Sequence, residues 1–166
     1  GHYAKLSPGE PTGFNPLQLP DNAVNRAFLV DWLNALLAPK DSEEERLITT
    51  AVDDAYENNP KFRRLRFFRE LLAGNRRPEE GDLAARLGPW IHDGPNAWLF
   101  DNENDALDLS QQVAGFVMTE LLDSPALRTP AMMYLFHRVD ERLDGTPAMI
   151  VIDEGWKALD DAVFAA

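Results

Sequence analysis

Residues Ala148-Met149-Ile150-Val151-Ile152 form an unbroken apolar run that ends directly in Asp153-Glu154. A run apolar at every position leaves no polar side for water, so it fits a strand covered on both faces, as in a parallel sheet. The residues before it support such a sheet. Thr129 can cap a helix with Pro130 in its first turn. Met132, Leu135, Phe136, Val139 and Leu143 then recur along one face until Asp144-Gly145 closes the helix. Further back, Val113 to Met118 reads as a buried strand. Strand, crossover helix and strand are the grammar of a doubly wound α/β fold. Another helix is expected from Trp156.

The same run carries chemistry. A central strand delivers its last residues to the carboxyl edge of the sheet, where open α/β sheets bind ligands. Two acids there make a Walker B pattern. Asp153 can hold the magnesium of a bound nucleotide, directly or through water. Glu154 can polarise the water that attacks the γ-phosphate. The local pattern leaves a plainer reading open, in which the two acids are a solvated turn or the cap of a helix starting at Gly155 or Trp156.

A Walker B acid pair needs a Gly-rich loop ending in Gly-Lys-Ser/Thr to cradle the phosphates. The chain's lysines are Lys5, Lys40, Lys61 and Lys157, and none follows a glycine. Either the phosphate loop lies outside these residues, or the acids serve no nucleotide.

The first 21 residues are extended in character. His2 to Leu6 can form a short strand, Ser7 to Gly13 is dense in turn formers, and Pro16 confines Phe14 to Leu19 to an edge strand or loop. Helical spacing then takes over. Asp21 or Asn22 can cap a helix bearing Phe28, Leu29, Trp32, Leu33, Leu36 and Leu37, which Pro39 ends. Ser42-Glu43-Glu44-Glu45 reads as a capping box before Leu47, Ile48, Ala51, Val52, Ala55 and Tyr56. A third helix is expected from Lys61 to Ala73, stopped by Gly74, and a short fourth from Leu83 to Leu87. Strand signals return at Trp98-Leu99-Phe100 and Leu107-Asp108-Leu109. The expected organisation is a core segment over 1–21, an all-helical block over 22–97 and a second core segment over 98–166, with helix predominating.

With no cysteine, disulfides, thiolate metal sites and cysteine nucleophiles are excluded. The net charge of −12 makes the chain a poor nonspecific binder of nucleic acid. No stretch approaches the ~20 consecutive apolar residues of a membrane-spanning helix.

Longer strings are more specific than these patterns. Pro11-Thr12-Gly13-Phe14-Asn15-Pro16-Leu17-Gln18-Leu19, Asn25-Arg26-Ala27-Phe28-Leu29, Trp98-Leu99-Phe100-Asp101-Asn102, Met118 to Asp123, Leu127 to Arg138 and Ile150 to Asp161 occur in order along the chain. Together they closely resemble the CagE/TrbE/VirB family of type IV secretion and conjugal-transfer ATPases, the fourth VirB component. Glu154-Gly155-Trp156-Lys157-Ala158-Leu159 resembles that family's Walker B segment. The resemblance implies an internal fragment of the C-terminal motor domain, with a partial RecA-like P-loop core interrupted by an all-helical insertion. It implies a phosphate loop upstream of residue 1 and a Gln-containing sensor downstream of Ala166. It further implies ATP and Mg2+ as ligands, a homo-oligomeric ring, other secretion-channel components as partners, and work at the cytoplasmic face of the bacterial inner membrane, without direct nucleic-acid binding by this segment. Where the family pattern has an acid, this chain has Val117. Two readings compete with the ATPase fragment: a non-catalytic helical module that binds other channel components, and a related DNA-pumping ATPase, which the acidic charge disfavours.

Other residues are weighed against plainer roles. Arg128, beside Thr129-Pro130, could complete a neighbour's site in a ring ATPase, although a structural ion pair is the simpler use; Arg26 is similar. Lys61 to Arg69 could be a nucleic-acid or partner surface, or an amphipathic helix with Phe62, Leu65, Phe68 and Leu72 inward and arginines in water. His92 and His137 lack the spacing of a metal site. Met132-Met133 reads as core packing, and Trp156 as packing the next helix onto the sheet.

Overall fold

The structure is a computed structural model, and it describes residues 2–74, 77, 79–145, 147–151 and 153. The chain divides into two compact units, one built from residues 9–107 and one from residues 1–8 with 108–166.

The first unit is helical: α1 (Ala23–Leu37), α2 (Ser42–Glu57), α3 (Leu65–Ala73) and two short turns of helix, α4 (Leu83–Arg86) and α5 (Ala97–Phe100). Asn22 starts α1, its side chain accepting from the Asn25 backbone N–H at 2.8 Å. The helix stops at Ala38, whose φ of +46° breaks the repeat just before Pro39. Helix α2 is capped one residue earlier than the sequence suggests. Asp41, not Ser42, takes the Glu44 N–H at 2.9 Å, and the Glu44 carboxylate takes the Lys40 N–H at 2.9 Å. The pattern is a variant of the capping box, in which a carboxylate replaces the hydroxyl and the return bond goes to the residue before the cap.

The expected helix from Lys61 is split. Residues Pro60–Phe62 form a 3-10 turn, Arg64 is extended, and α3 begins at Leu65. Trp98-Leu99-Phe100 lies in α5 rather than in a strand. A short, wholly apolar run has no periodicity to separate the two, and here the Asp101 N–H closes a helical turn onto Ala97 O. The core is where the spacing put it: Leu29, Trp32 and Leu33 on α1, Ile48 and Val52 on α2, Leu65 and Phe68 on α3 are almost fully buried. The Phe100 ring meets Trp32 edge-on at 5.0 Å and stacks against Trp90 at 6.3 Å.

The second unit holds the sheet. Strand β1 (His2–Lys5) pairs in parallel with β2 (Ala114–Val117) in the register His2↔Ala114 to Lys5↔Val117. Leu6 extends the ladder by donating to Val117 O at 2.9 Å. Gly115 lies beneath the Tyr3 ring, where a Cβ would stand 2.6 Å from it and would turn the exposed tyrosine aside. Strand β2 is less covered than its sequence suggests, with Val117 half exposed. Two helices follow, α6 (Thr119–Leu122) and α7 (Pro125–Arg142). Helix α7 starts four residues before the expected Thr129 cap. Ser124 O accepts from Leu127 and Arg128, forming the first turn with Pro125 at its head, so Pro130 sits inside the helix without a donor. Its buried face is Ala131, Met132, Tyr134 and Leu135, while Leu143 is exposed.

The apolar run before Asp153 differs from expectation. Ala148 to Val151 carries no strand, and these residues are exposed. A strand has no hydrogen bonds of its own and exists only beside a neighbour. Among the described residues the sheet is β1–β2, and neither pairs with this run. Ile152 and the expected helix at Trp156 lie outside the described residues. The chain is nonetheless mainly helical with a small parallel sheet, compatible with a fragment of an α/β protein.

Candidate functional site

Of the residues the sequence nominates for chemistry, Asp153 is an exposed turn residue just past the apolar run. Glu154 lies outside the described residues. Arg128 is half-buried in the first turns of α7, where its Nη1 donates to Leu122 O at 3.3 Å. That bond ties the end of α6 to α7, which is a structural use of the guanidinium. Arg26 is likewise held within the fold. It meets Asp21 at 2.6 Å and Asp53 at 2.8 Å and lies over the Tyr56 ring at 5.1 Å. The Arg26 hydrogen bond holds the Asp21 carboxyl below its ordinary range.

His137 faces Glu141 at 3.5 Å on the same helix. Burial lowers its pKa, and the Glu141 charge opposes that without reversing it. Among the described residues, no group of three or more His, Cys, Asp or Glu side chains could hold a metal ion.

The two strings that carry the resemblance in residues 11–19 and 98–102 meet in the helical unit as a polar clamp. The Thr12 N–H donates to Trp98 O at 3.0 Å, and its hydroxyl donates to Leu99 O. Asn102 Nδ2 donates to Phe14 O at 2.9 Å. Asn15, fully buried, sends Nδ2 to the carbonyls of Arg63, Asn102 and Glu103 at 2.9, 2.8 and 3.2 Å. Its Oδ1 accepts the Leu17 N–H at 3.0 Å. Gly13 permits the close approach: its φ is +76°, and a Cβ would meet Ala106 Cβ at 2.9 Å.

Next to the clamp, Asp101 gathers the basic run. Its buried carboxylate takes Arg64 Nε at 3.2 Å, Arg66 Nε at 3.1 Å, and the backbone N–H groups of Arg66 and His92 at 3.2 and 2.9 Å. Arg64 and Arg66 are therefore ion-paired rather than simply solvated, a correction to the amphipathic reading. Sequence reasoning missed Asp101 because its partners are 35 and 37 residues away. The one available signal was an excess of arginine in a helix already covered on its apolar side. A cavity of about 360 Å³ between α2, α3 and α4 is lined in part by Glu44 and Asp82. Both carboxylates are engaged, Glu44 by Arg86 and Asp82 by the N–H groups of Glu79 and Ala85.

No protein-family model matches the chain. Curated relatives do. The chain is 38% identical over 170 aligned positions, which take in all of its length, to the type IV secretion system protein virB4 of Bartonella henselae. It is 39% identical over 177 aligned residues, 99% of its length, to the type IV secretion system protein PtlC of Bordetella pertussis. Against virB4 of Brucella suis it is 33% identical over 179 aligned residues. Matches that run end to end at this level show that the chain is related to one segment of the VirB4 and PtlC type IV secretion system proteins. It spans about one fifth (21%) of the length of these relatives. No helix among the described residues is long and apolar enough to cross a membrane.

Proposed function

We propose that this chain is the middle of an ATPase motor domain that energises type IV secretion or conjugative transfer. The observation that carries this reading is the end-to-end relatedness to virB4 and PtlC together with an apolar run ending in Asp153-Glu154. In the longer protein the run would enter a RecA-like parallel sheet, with strands contributed from outside these residues, and residues 22–97 would form its all-helical insertion.

Asp153 would hold Mg2+ beside the nucleotide phosphates. An exposed carboxylate is the hard oxygen donor this ion takes, and nucleotide-bound Mg2+ needs only one or two such groups. When bound, the ion would neutralise charge on the phosphates. Glu154 would orient and polarise the attacking water as general base. The Lys and Ser/Thr of the phosphate loop would come from outside the chain. Arg128 would have to release Leu122 O to reach a neighbouring subunit's site. Ring assembly, contacts with other channel components and work at the cytoplasmic face of the inner membrane belong to the same proposal.

In the full-length protein, Glu154→Gln should retain ATP binding by calorimetry and lose turnover. Undiminished hydrolysis by that variant would remove Glu154 from the mechanism. A second reading, a non-catalytic binding module, is favoured by one observation: residues 9–107 close a core of their own. Absence of Mg-ATP binding by the full-length protein would move that reading to first place.

A further inference from the structure

The basic run on the helical unit does not bury all of its aromatics. Leu65, Phe68 and Leu72 face the core, but Phe62 and Phe67 stand 50% and 42% exposed. They touch each other edge-to-face, with ring centroids 5.8 Å apart and planes at 86°. Lys61 Nζ lies 4.9 Å over the Phe62 ring. Five of the chain's 16 basic side chains, Lys61, Arg63, Arg64, Arg66 and Arg69, fall within these nine residues, in a chain of net charge −12. Asp101 neutralises at most one of the two arginines it holds. Arg63 lies over the Tyr56 ring at 4.7 Å, and Lys61 is the cation placed against the exposed rings, on a run that stays net positive after Asp101 is counted.

We propose that the Phe62–Phe67 pair, with Lys61 against it and the net-positive run that carries it, docks an acidic segment of another protein, one that carries apolar side chains among its carboxylates. Exposed paired aromatics on a basic run are the composition of an interface anchor, and charge complementarity selects an anionic partner. Single-stranded nucleic acid fits less well. Base stacking needs open ring faces, whereas Phe62 already carries Lys61 on its ring and stands perpendicular to Phe67. A second copy of this chain also fits less well, since each copy brings the same −12 charge. The inference uses neither Asp153 nor Glu154 and does not depend on the ATPase reading.

The test uses fluorescence anisotropy with a labelled 16-residue amphipathic peptide bearing Glu on one face and Leu on the other. Two controls accompany it, the same peptide with Gln for Glu and a 20-mer oligo-dT. The Glu peptide should bind, weaken with added salt, and lose at least roughly tenfold in affinity with Phe62→Ser and with Lys61→Glu. The Gln peptide should bind at least roughly tenfold more weakly. Both substitutions are on the surface, and unchanged circular dichroism would show that the fold is kept. Three results would overturn the proposal: equal binding of Glu and Gln peptides, preferential binding of oligo-dT that depends on Phe62, or self-association by analytical ultracentrifugation that Phe62→Ser abolishes. Binding by this chain but not by the full-length protein would also overturn it, because the parent would then cover the surface itself.

Discussion

Asp101→Asn offers the sharpest test of the helical unit's construction. The side chain is 1% exposed and both oxygens face donors. Oδ1 takes Arg64 Nε and the Arg66 N–H; Oδ2 takes Arg66 Nε and the His92 N–H. An amide in this position must aim its NH2 at a backbone N–H whichever way it turns, and it leaves two guanidinium groups without a counter-charge. Removing one member of a buried ion pair costs about 3–5 kcal/mol. Arg64 and Arg66 keep 21% and 29% of their side-chain surface in water, and that screening brings the expected loss to about 2–4 kcal/mol. Urea unfolding followed by tryptophan fluorescence reports on this unit, since Trp32, Trp90 and Trp98 all lie in it. With an m-value of about 1.5 kcal/mol per molar, the midpoint should fall by roughly 1.3–2.7 M at unchanged slope. A loss under about 1 kcal/mol would mean that the carboxylate is solvated rather than clamped. A double-mutant cycle with Arg66→Met should show coupling of about 1 kcal/mol or more, and additivity would refute the pairing.

Gly13→Ala should lose about 1–3 kcal/mol, because alanine resists φ of +76° and its Cβ would crowd Ala106; Ala106→Gly should recover only the steric part in a thermal melt. Asn15→Asp is nearly isosteric but turns an anion toward three carbonyl oxygens, so it should destabilise at least as much as Asn15→Ala, for which about 1–3 kcal/mol is expected by denaturant titration. Burial pushes Glu44 up, but Arg86, the Lys40 N–H and the Lys40 charge outweigh it and hold the carboxyl below its usual 4.5. Its stabilising contribution is therefore complete above about pH 4.5 and is lost as pH falls through the lower folded value. Glu44→Gln should flatten that acid limb in pH-dependent unfolding, and an unchanged limb would assign it to other carboxylates.

Long periodic segments were legible from the sequence and short ones were not. The faces of α1, α2 and α3 repeat over nine to sixteen residues, and most of the apolar side chains the spacing picked are buried, Phe62 being the exception at 50% exposed because the helix breaks between it and Leu65. Trp98-Leu99-Phe100 is too short to show a period, and its conformation is set by the turn from Gly94 and the burial of all three rings and chains. Pro130 was misplaced because a proline fits the first turn so well, while Pro125 could claim the same position and Ser124 supplied the carbonyl. The cap of α2 moved by one residue because two adjacent side chains could each cap it, and only backbone geometry at Asp41 decides between them. The run 148–151 is apolar enough for a buried strand, but strand formation depends on a neighbour and not on composition.

The strings that made the family recognisable do structural work in the described residues. Thr12, Gly13, Asn15, Asp101 and Asn102 satisfy backbone groups where the chain enters and leaves the helical core. Each solves a problem with few alternative answers: a positive φ, a donor facing three carbonyls, a carboxylate facing two guanidiniums. Such positions tolerate little substitution whether or not a ligand binds. A close match in residues 11–19 and 98–102 therefore argues for a shared fold, and the case for ATP chemistry rests on Asp153 and Glu154, where turnover of the Glu154→Gln variant decides it.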